Sequence, residues 1–416
     1  LAPLQRELYN YYLNHTAKSI AVDDAELHAL RTEIGSLASD SNIILNSVLA
    51  LAAVDKCHCL IWDSAPQPEY HAQITGLLLS AEQYHWQAVR QTRSDAVHMG
   101  CYDHVMANAA LMVLYGCASH GVRIRLASKE YAKMHLASEL APVRLQWMSL
   151  IWAVHIAYSG LTNTKPNYFS VKGHQWASLA QPHQDIVWQS FEEEQQLSSN
   201  EESTDRTRRL FSPIVAATWA SAVGKLHELV SNDLYLQFGD DYLSDVFVCM
   251  RSLNLLHNIF SEVFSTDLPT KPSTSSHETE LQPWLRGYLA RVTSRTPHKP
   301  LRRIVMAFVH KMPPRYFNLL QTTLEALPEN FDDDKNPDQK HSVLAKSSLH
   351  KLVIDIFAHW LVLVMLLDGV WWISDIGTWE LNRVILTMRS FSVVDSRELA
   401  DNWWPHNMYI INEKLS

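Results

Sequence analysis

Glycine is scarce in this sequence, 12 of 416 residues, less than half the ~7% of an average chain, which argues against a turn-rich β architecture. Cysteine is sparse too. The five, Cys57, Cys59, Cys101, Cys117 and Cys249, are odd in number and mostly sit inside apolar helical patterns. That is intracellular usage and excludes a disulfide framework. Positive charge is in deficit: the formal net charge of −9 leaves no basic stripe for a nucleic-acid surface. No signal peptide or transmembrane run is read in the chain, so no membrane span is expected. Chemistry-bearing motifs are missing as well. There is no G-x-S-x-G, Walker A or G-x-G-x-x-G, and His227-Glu228 lacks the second histidine of a zincin. The chain begins at Leu1 rather than Met, as expected of a fragment.

Apolar residues, by contrast, make up 47% of the chain, and 14 are tryptophan. At 416 residues the chain exceeds the ~250–300 at which a single core stops growing. The expectation is an all-α protein: a large multi-helix, bundle-like array around buried central helices, with no significant β-sheet. It divides into an N-terminal helical half over 1–160, a mobile polar linker over 161–209, and a C-terminal half over 210–416, fused into one domain.

The organising stretch is His350 to Glu380, HKLVIDIFAHWLVLVMLLDGVWWISDIGTWE. Between Asp355 and Asp368 every side chain except His359 is apolar, on all sides of a helix. Such a helix must be buried. The run between the aspartates is roughly 18 Å long at ~1.5 Å per residue, short of the ~30 Å that a spanning helix needs. It therefore reads as a central core helix over 350–368, with Trp371-Trp372 as the floor of a cavity or a plug in one.

Other helices follow from periodicity. In Pro3 to Ala21, Leu4, Leu8, Tyr11, Tyr12 and His15 share one face. IILNSVLALAAVDKC is apolar on nearly every side and follows a Ser41-Asn42 cap. A long helix from about Glu69 to Arg93 turns Leu77, Leu78, Ala81, Tyr84 and Ala88 inward. HVMANAALMVLYGCAS carries Asn108 as its lone polar interior residue, and LQWMSLIWAVHIAYSG stops at Gly160. The segments EEEQQLSSNEESTDRTRR, TDLPTKPSTSS and PENFDDDKNPDQKHS read as mobile.

Four segments together resemble the C-terminal regulatory domain of fungal binuclear zinc-cluster (Zn2Cys6) transcription factors, of the sterol-uptake-control type. LQRELYNYYLNHTAKSIA is similar to that family's opening helix, at Tyr12, His15 and Thr16. LNSVLALAAVDKC and ANAALMVLYGCA are similar to its second and third hydrophobic helices. LVIDIFAHWLVLVMLLDGVWWISDIGTWELNRVI is similar to its segment ending in a tryptophan pair, at His359, Trp371, Trp372 and Gly377. Two features depart from the pattern. Ile376 replaces a tryptophan, with Trp379 coming later, and no Cys-x2-Cys-x6-Cys cluster is present. Either that cluster precedes the fragment or it has been lost.

The resemblance implies a ligand-responsive domain of a transcription factor, without catalysis. A sterol-like or other lipophilic metabolite would occupy a pocket and control nuclear entry and activation, with a cytoplasmic ligand-bound form. DNA would be held only through the N-terminal zinc cluster, so no cofactor is expected in this fragment. A homodimer would suit paired half-sites.

The candidate ligand-binding residues are Trp152, His155, Tyr158, His359, Leu363, Trp371, Trp372 and Gly377. Each has a blander reading. His359 is either a satisfied core histidine or a ligand-orienting donor with Asp355 in reach at i−4. Trp152, His155 and Tyr158 form an aromatic strip that core packing also explains. Cys57-His58-Cys59 lacks a second ligand pair and reads as a helix end. The alternative function is an all-α enzyme on a hydrophobic substrate, such as a terpenoid-type cyclase using magnesium. Asp240-Asp241, with Asp245 at i+4 from Asp241, and Asp332 to Asp334 invite that comparison but read as solvated acids. A third reading is an interaction scaffold without a small-molecule site.

Overall fold

The computed structural model describes residues 1–63, 68–95, 102–127, 142, 147–152, 202–231, 240–265, 300–325, 340–391 and 403–415. Among these the chain is helical and forms no strand. One contiguous apolar core runs through both halves.

The N-terminal half begins with α1 (Pro3–Tyr11), which carries proline in its first turn, where a missing N–H is harmless. A π turn (Tyr12–Thr16) then widens the helix before α2 (Ala17–Ile20). The single inward face expected over Pro3 to Ala21 is broken by that turn. Leu8, Tyr12 and Thr16 are buried, whereas Leu4 and His15 face outward. Next comes α3 (Asp24–His28), where the Asp23 carboxylate caps the Glu26 N–H at 2.7 Å. A second π turn (Ala29–Glu33) leads into α4 (Ile34–Asp40).

Three long helices complete this half: α5 (Asn42–Asp63), α6 (Pro68–Asp95) and α7 (Tyr102–Ala127). α5 packs on both of the others. Asn108 is fully buried and satisfied between all three. It accepts a hydrogen bond from Ser47 of α5, while its amide donates to Thr92 of α6 at 2.8 Å. A buried amide with partners on two other helices fixes their register, because an unmatched polar group here would cost roughly 1–3 kcal/mol.

The C-terminal half contains a π turn (Thr207–Phe211), α8 (Ser212–Leu229), α9 (Asp240–Phe264), α10 (Leu301–Lys311) and α11 (Pro314–Glu325). It ends with α12 (Lys340–Val364), α13 (Ile376–Phe391) and α14 (Trp404–Leu415). The expected central helix is α12, starting ten residues before His350 and ending in a 3-10 turn (Met365–Leu367). α9, α10, α11, α13 and α14 all pack on it. Trp360 lies at the middle, fully buried between Phe308 and Trp147, and its indole N–H donates to the Val305 carbonyl at 2.9 Å.

The end of the proposed linker, residues 202–209, includes the start of a π turn that packs on the helical body. Its polar side chains find buried partners: Thr204 and Thr207 donate to Asp368, and the Glu202 carboxylate accepts from the Arg302 N–H. The length argument about membranes fails. Three helical windows, Asn42–Ile61, Asp103–Ala127 and Ser348–Leu367, are long and apolar enough to cross a membrane by length and composition alone. Apolar residues before Asp355 extend the third. In this fold 61–83% of each window is buried against the rest of the protein.

Gly377 sits where the first turn of α13 crosses the end of α12. A Cβ there would lie 2.7 Å from the Met365 backbone nitrogen and 2.9 Å from the Val364 carbonyl carbon. Those atoms are main chain and cannot move aside. Gly377→Ala is therefore expected to destabilise the fold by about 1–3 kcal/mol, and Trp360→Ala by about 3–5 kcal/mol. Denaturant unfolding followed by circular dichroism measures both.

Candidate functional site

An opening on the central helix lies at Asp355 and His359, inside its apolar stretch. Asp355 and His359 stand one turn apart on α12, an intrahelical pair that i, i+4 spacing brings together. His359 Nδ1 is 2.8 Å from the Asp355 carbonyl oxygen and 3.1 Å from its Oδ1. A carbonyl oxygen only accepts, so Nδ1 carries the proton, and in the neutral ring Nε2 is an acceptor.

Two tryptophans from the start of α14 close over this pair. Trp403 Nε1 donates to Asp355 Oδ1 at 2.7 Å. The Trp404 ring stacks on His359, with centroids 5.2 Å apart, and its Nε1 donates to Thr218 Oγ1 of α8 at 2.9 Å. Between α8, α12 and α14 runs an open groove of about 530 Å³, lined by Ala217, Thr218, Ser221, Leu226, Asp355, His359, Trp403, Trp404 and their neighbours. That volume lies within the ~300–1,000 Å³ of small-molecule sites. Its walls mix apolar and aromatic side chains with polar ones, Lys225 and Asn407 as well as Thr218, Ser221, Asp355 and His359.

The predicted residues divide. His359 lines this groove. Leu363, one turn further, is fully buried in the core. Trp152 packs face to face on Phe317, with centroids 5.5 Å apart, as an ordinary core contact. His155 and Tyr158 lie outside the described residues. Trp371 and Trp372, expected to border a cavity, make packing contacts among the described residues. Trp371 donates to Ser19 Oγ at 3.1 Å and leans on His58. Trp372 is buried under the Arg302 guanidinium, which sits 5.7 Å from its ring centre. Gly377 serves the close crossing described above rather than a ligand.

Arg302 explains this packing. It is buried, donates to the Ile20 carbonyl at 2.6 Å, and lies within 3.5 Å of Glu26 and of Glu202. A buried guanidinium needs such partners, and they come from two distant stretches of chain, around residues 20–26 and at Glu202. Burial raises the Glu202 carboxyl pKa against the opposing pull of Arg302. Of the acidic residues compared with a magnesium site, Asp245 is paired with Arg315. The side chains of Asp240 and Asp241, and residues 332–334, lie outside the described set.

A smaller cavity of about 120 Å³ opens between α6, α7 and residues 147–152, lined by Glu82, His85, Tyr115, His120, Arg123 and Trp147 among others. His120 Nε2 and Glu380 Oε1 meet at 3.2 Å, both side chains being buried, and tie α7 to α13. His85 stacks on Tyr115, with centroids 4.4 Å apart.

The groove was partly signalled by the sequence. Trp403-Trp404 is a second tandem tryptophan pair, of the same kind as Trp371-Trp372, and it is the pair that reaches His359. Nothing in the residue pattern marked Thr218 or Ser221. Comparison of the chain with protein-family models, with curated proteins and with solved structures gives no match.

Burial lowers the His85 pKa from 6.5 to about 4, with Glu82 pulling the other way. Between those values the unfolded chain binds the proton and the folded chain does not. Stability is therefore expected to fall as pH drops from 6.5 toward 4, by at most about 1.4 kcal/mol per pH unit from this group. His85→Gln should flatten that slope in denaturant titrations at pH 7 and pH 5.

Proposed function

We propose that this chain is the ligand-sensing regulatory domain of a fungal transcription factor of the binuclear zinc-cluster type. In this reading the groove between α8, α12 and α14 takes a lipophilic molecule, sterol-like or another flat apolar metabolite. The chain itself performs no catalysis. The DNA-binding cluster belongs to a part of the protein outside these residues, and the factor acts in the nucleus.

One observation carries the reading. Asp355 and His359, the polar residues within the apolar stretch 352–367, face a groove of small-molecule size with Trp403 and Trp404 over it. His359 would offer a ring nitrogen to a ligand hydroxyl, with Trp404 and the alanines and leucines of α8 against the ligand body. The four sequence segments that resemble the family supply the rest of the support. Occupancy would shift α14, whose first turn is held to α12 and α8 by side-chain bonds, and so bias the domain between two states.

A second reading is favoured by one feature: the groove is open rather than enclosed. That suits a surface for a partner protein's apolar side chains.

Lipids extracted from the purified chain and identified by mass spectrometry, together with titration of a fluorescent sterol, separate the two readings. Ser221→Trp, which fills the groove from an exposed position, should abolish probe binding. His359→Ala should weaken it about tenfold, the worth of one hydrogen bond. Phe247→Ala, at an exposed position on α9, should leave it unchanged. Equal binding by all of these proteins, or no probe binding by any, would refute the sensor reading.

A further inference from the structure

The π turn over Tyr12–Thr16 alters which side chains of the first helix point the same way. On a regular α-helix His15 and Thr16 would diverge by about 100°. Here both reach one atom of α5: His15 Nδ1 lies 3.0 Å, and Thr16 Oγ1 2.7 Å, from Asp55 Oδ2. Single π turns inside α-helices occur frequently at functional sites.

One turn beyond Asp55 on the same face of α5 stands Cys59, and the Tyr11 hydroxyl donates to its Sγ at 3.4 Å. Tyr11 in turn stacks on His15, with centroids 4.8 Å apart. An imidazole nitrogen, a carboxylate oxygen and a thiol sulfur thus lie within 4.8 Å of one another.

Each donor suits the same ion. Zinc takes Cys, His and carboxylate ligands at ~2.0–2.3 Å. A tetrahedron of that size sets donors roughly 3.3–3.8 Å apart. The farthest of these donors therefore need to close by at most about 1 Å, and the His15–Asp55 pair, at 3.0 Å, to part by about 0.3 Å around a cation. Sulfur and imidazole favour zinc over magnesium or calcium, which take oxygen ligands. Three protein ligands leave the fourth position open. The His15 side chain is 48% exposed and Asp55 only 2%, so the site has both an entrance and a fixed wall. Thr16 holds the carboxylate and Tyr11 holds the sulfur, as outer partners commonly orient ligands.

A helix-to-helix staple made by His15 and Asp55 would need neither Cys59 nor its contact with Tyr11. The neighbours of Cys59 do not join the site: Cys57 is fully buried, and His58 faces Trp371. The sequence pattern Cys57-His58-Cys59 therefore misplaces the ligands, two of which come from elsewhere in the chain.

We propose that His15, Asp55 and Cys59 form a zinc site with one open coordination position. It departs from the expectation that zinc belongs only to the N-terminal cluster, and it is independent of the groove reading.

Cobalt(II) titration of the whole chain tests the proposal, because a thiolate–cobalt bond gives a charge-transfer band in the near ultraviolet. One equivalent of cobalt should produce this band together with tetrahedral visible bands, and zinc should displace both. Cys59→Ser should remove the charge-transfer band while the circular dichroism of the metal-free protein stays unchanged. Tyr11→Phe should weaken zinc about tenfold, and His15→Ala at least as much. Cys101→Ser should leave the band intact. No charge-transfer band at saturating cobalt, a band that survives Cys59→Ser, or one lost only in Cys101→Ser would each overturn the proposal.

Discussion

A helix with no solvent face dictates this fold. From Leu352 through the 3-10 turn at Leu367 only Asp355, at the groove, is partly exposed, so water is excluded from nearly every side of this stretch. Five other helices supply that cover. The hydrophobic effect drives the assembly without direction, and specificity comes from the few polar groups on or beside the rod. Asp355 and His359 receive α14, the Trp360 indole receives α10, and Asp368 receives residues 204–207. Asp355, His359, Trp360 and Asp368 are thus attachment points for distant stretches of chain. The same rule brings α7 to α13 through His120 and Glu380.

That logic explains what could be read in advance. The all-α class, the buried helical stretches over 43–57, 104–119 and 350–364, and the interior role of Asn108 are legible because composition and period leave no other placement. The packing of Trp371 and Trp372 is not. A tandem tryptophan past a helix end fits a cavity wall or a plug equally well, and Ser19 and Arg302, which decide the matter, lie far away in sequence. The exchange of His15 for Thr16 on the buried face was hidden for another reason. A π turn adds one residue to a turn and breaks the 3.6-residue period on which the inference depends. Gly377 was recognised as special, but its cause is backbone approach to Met365 and not a ligand.

The groove and the His15–Asp55–Cys59 cluster occupy different halves, and both are built where a helix departs from the pattern around it. In the groove a polar turn interrupts an apolar rod. In the cluster a wide turn interrupts a regular helix. The fold tolerates each because tertiary contacts hold the irregular geometry: stacking and two indole hydrogen bonds in one case, a buried carboxylate taking two donors in the other.

The crossing at Gly377 also restricts how any signal could travel. Main chain touches main chain where α13 meets α12, so these two helices share one fixed angle and behave as a stiff elbow. Displacement at the His359 end cannot bend that elbow without a backbone clash. Movement is left to elements fastened by side-chain bonds alone, above all the terminal helix α14. Only side-chain bonds would have to break for α14 to move, whereas α12 and α13 are held at their crossing by the main chain itself.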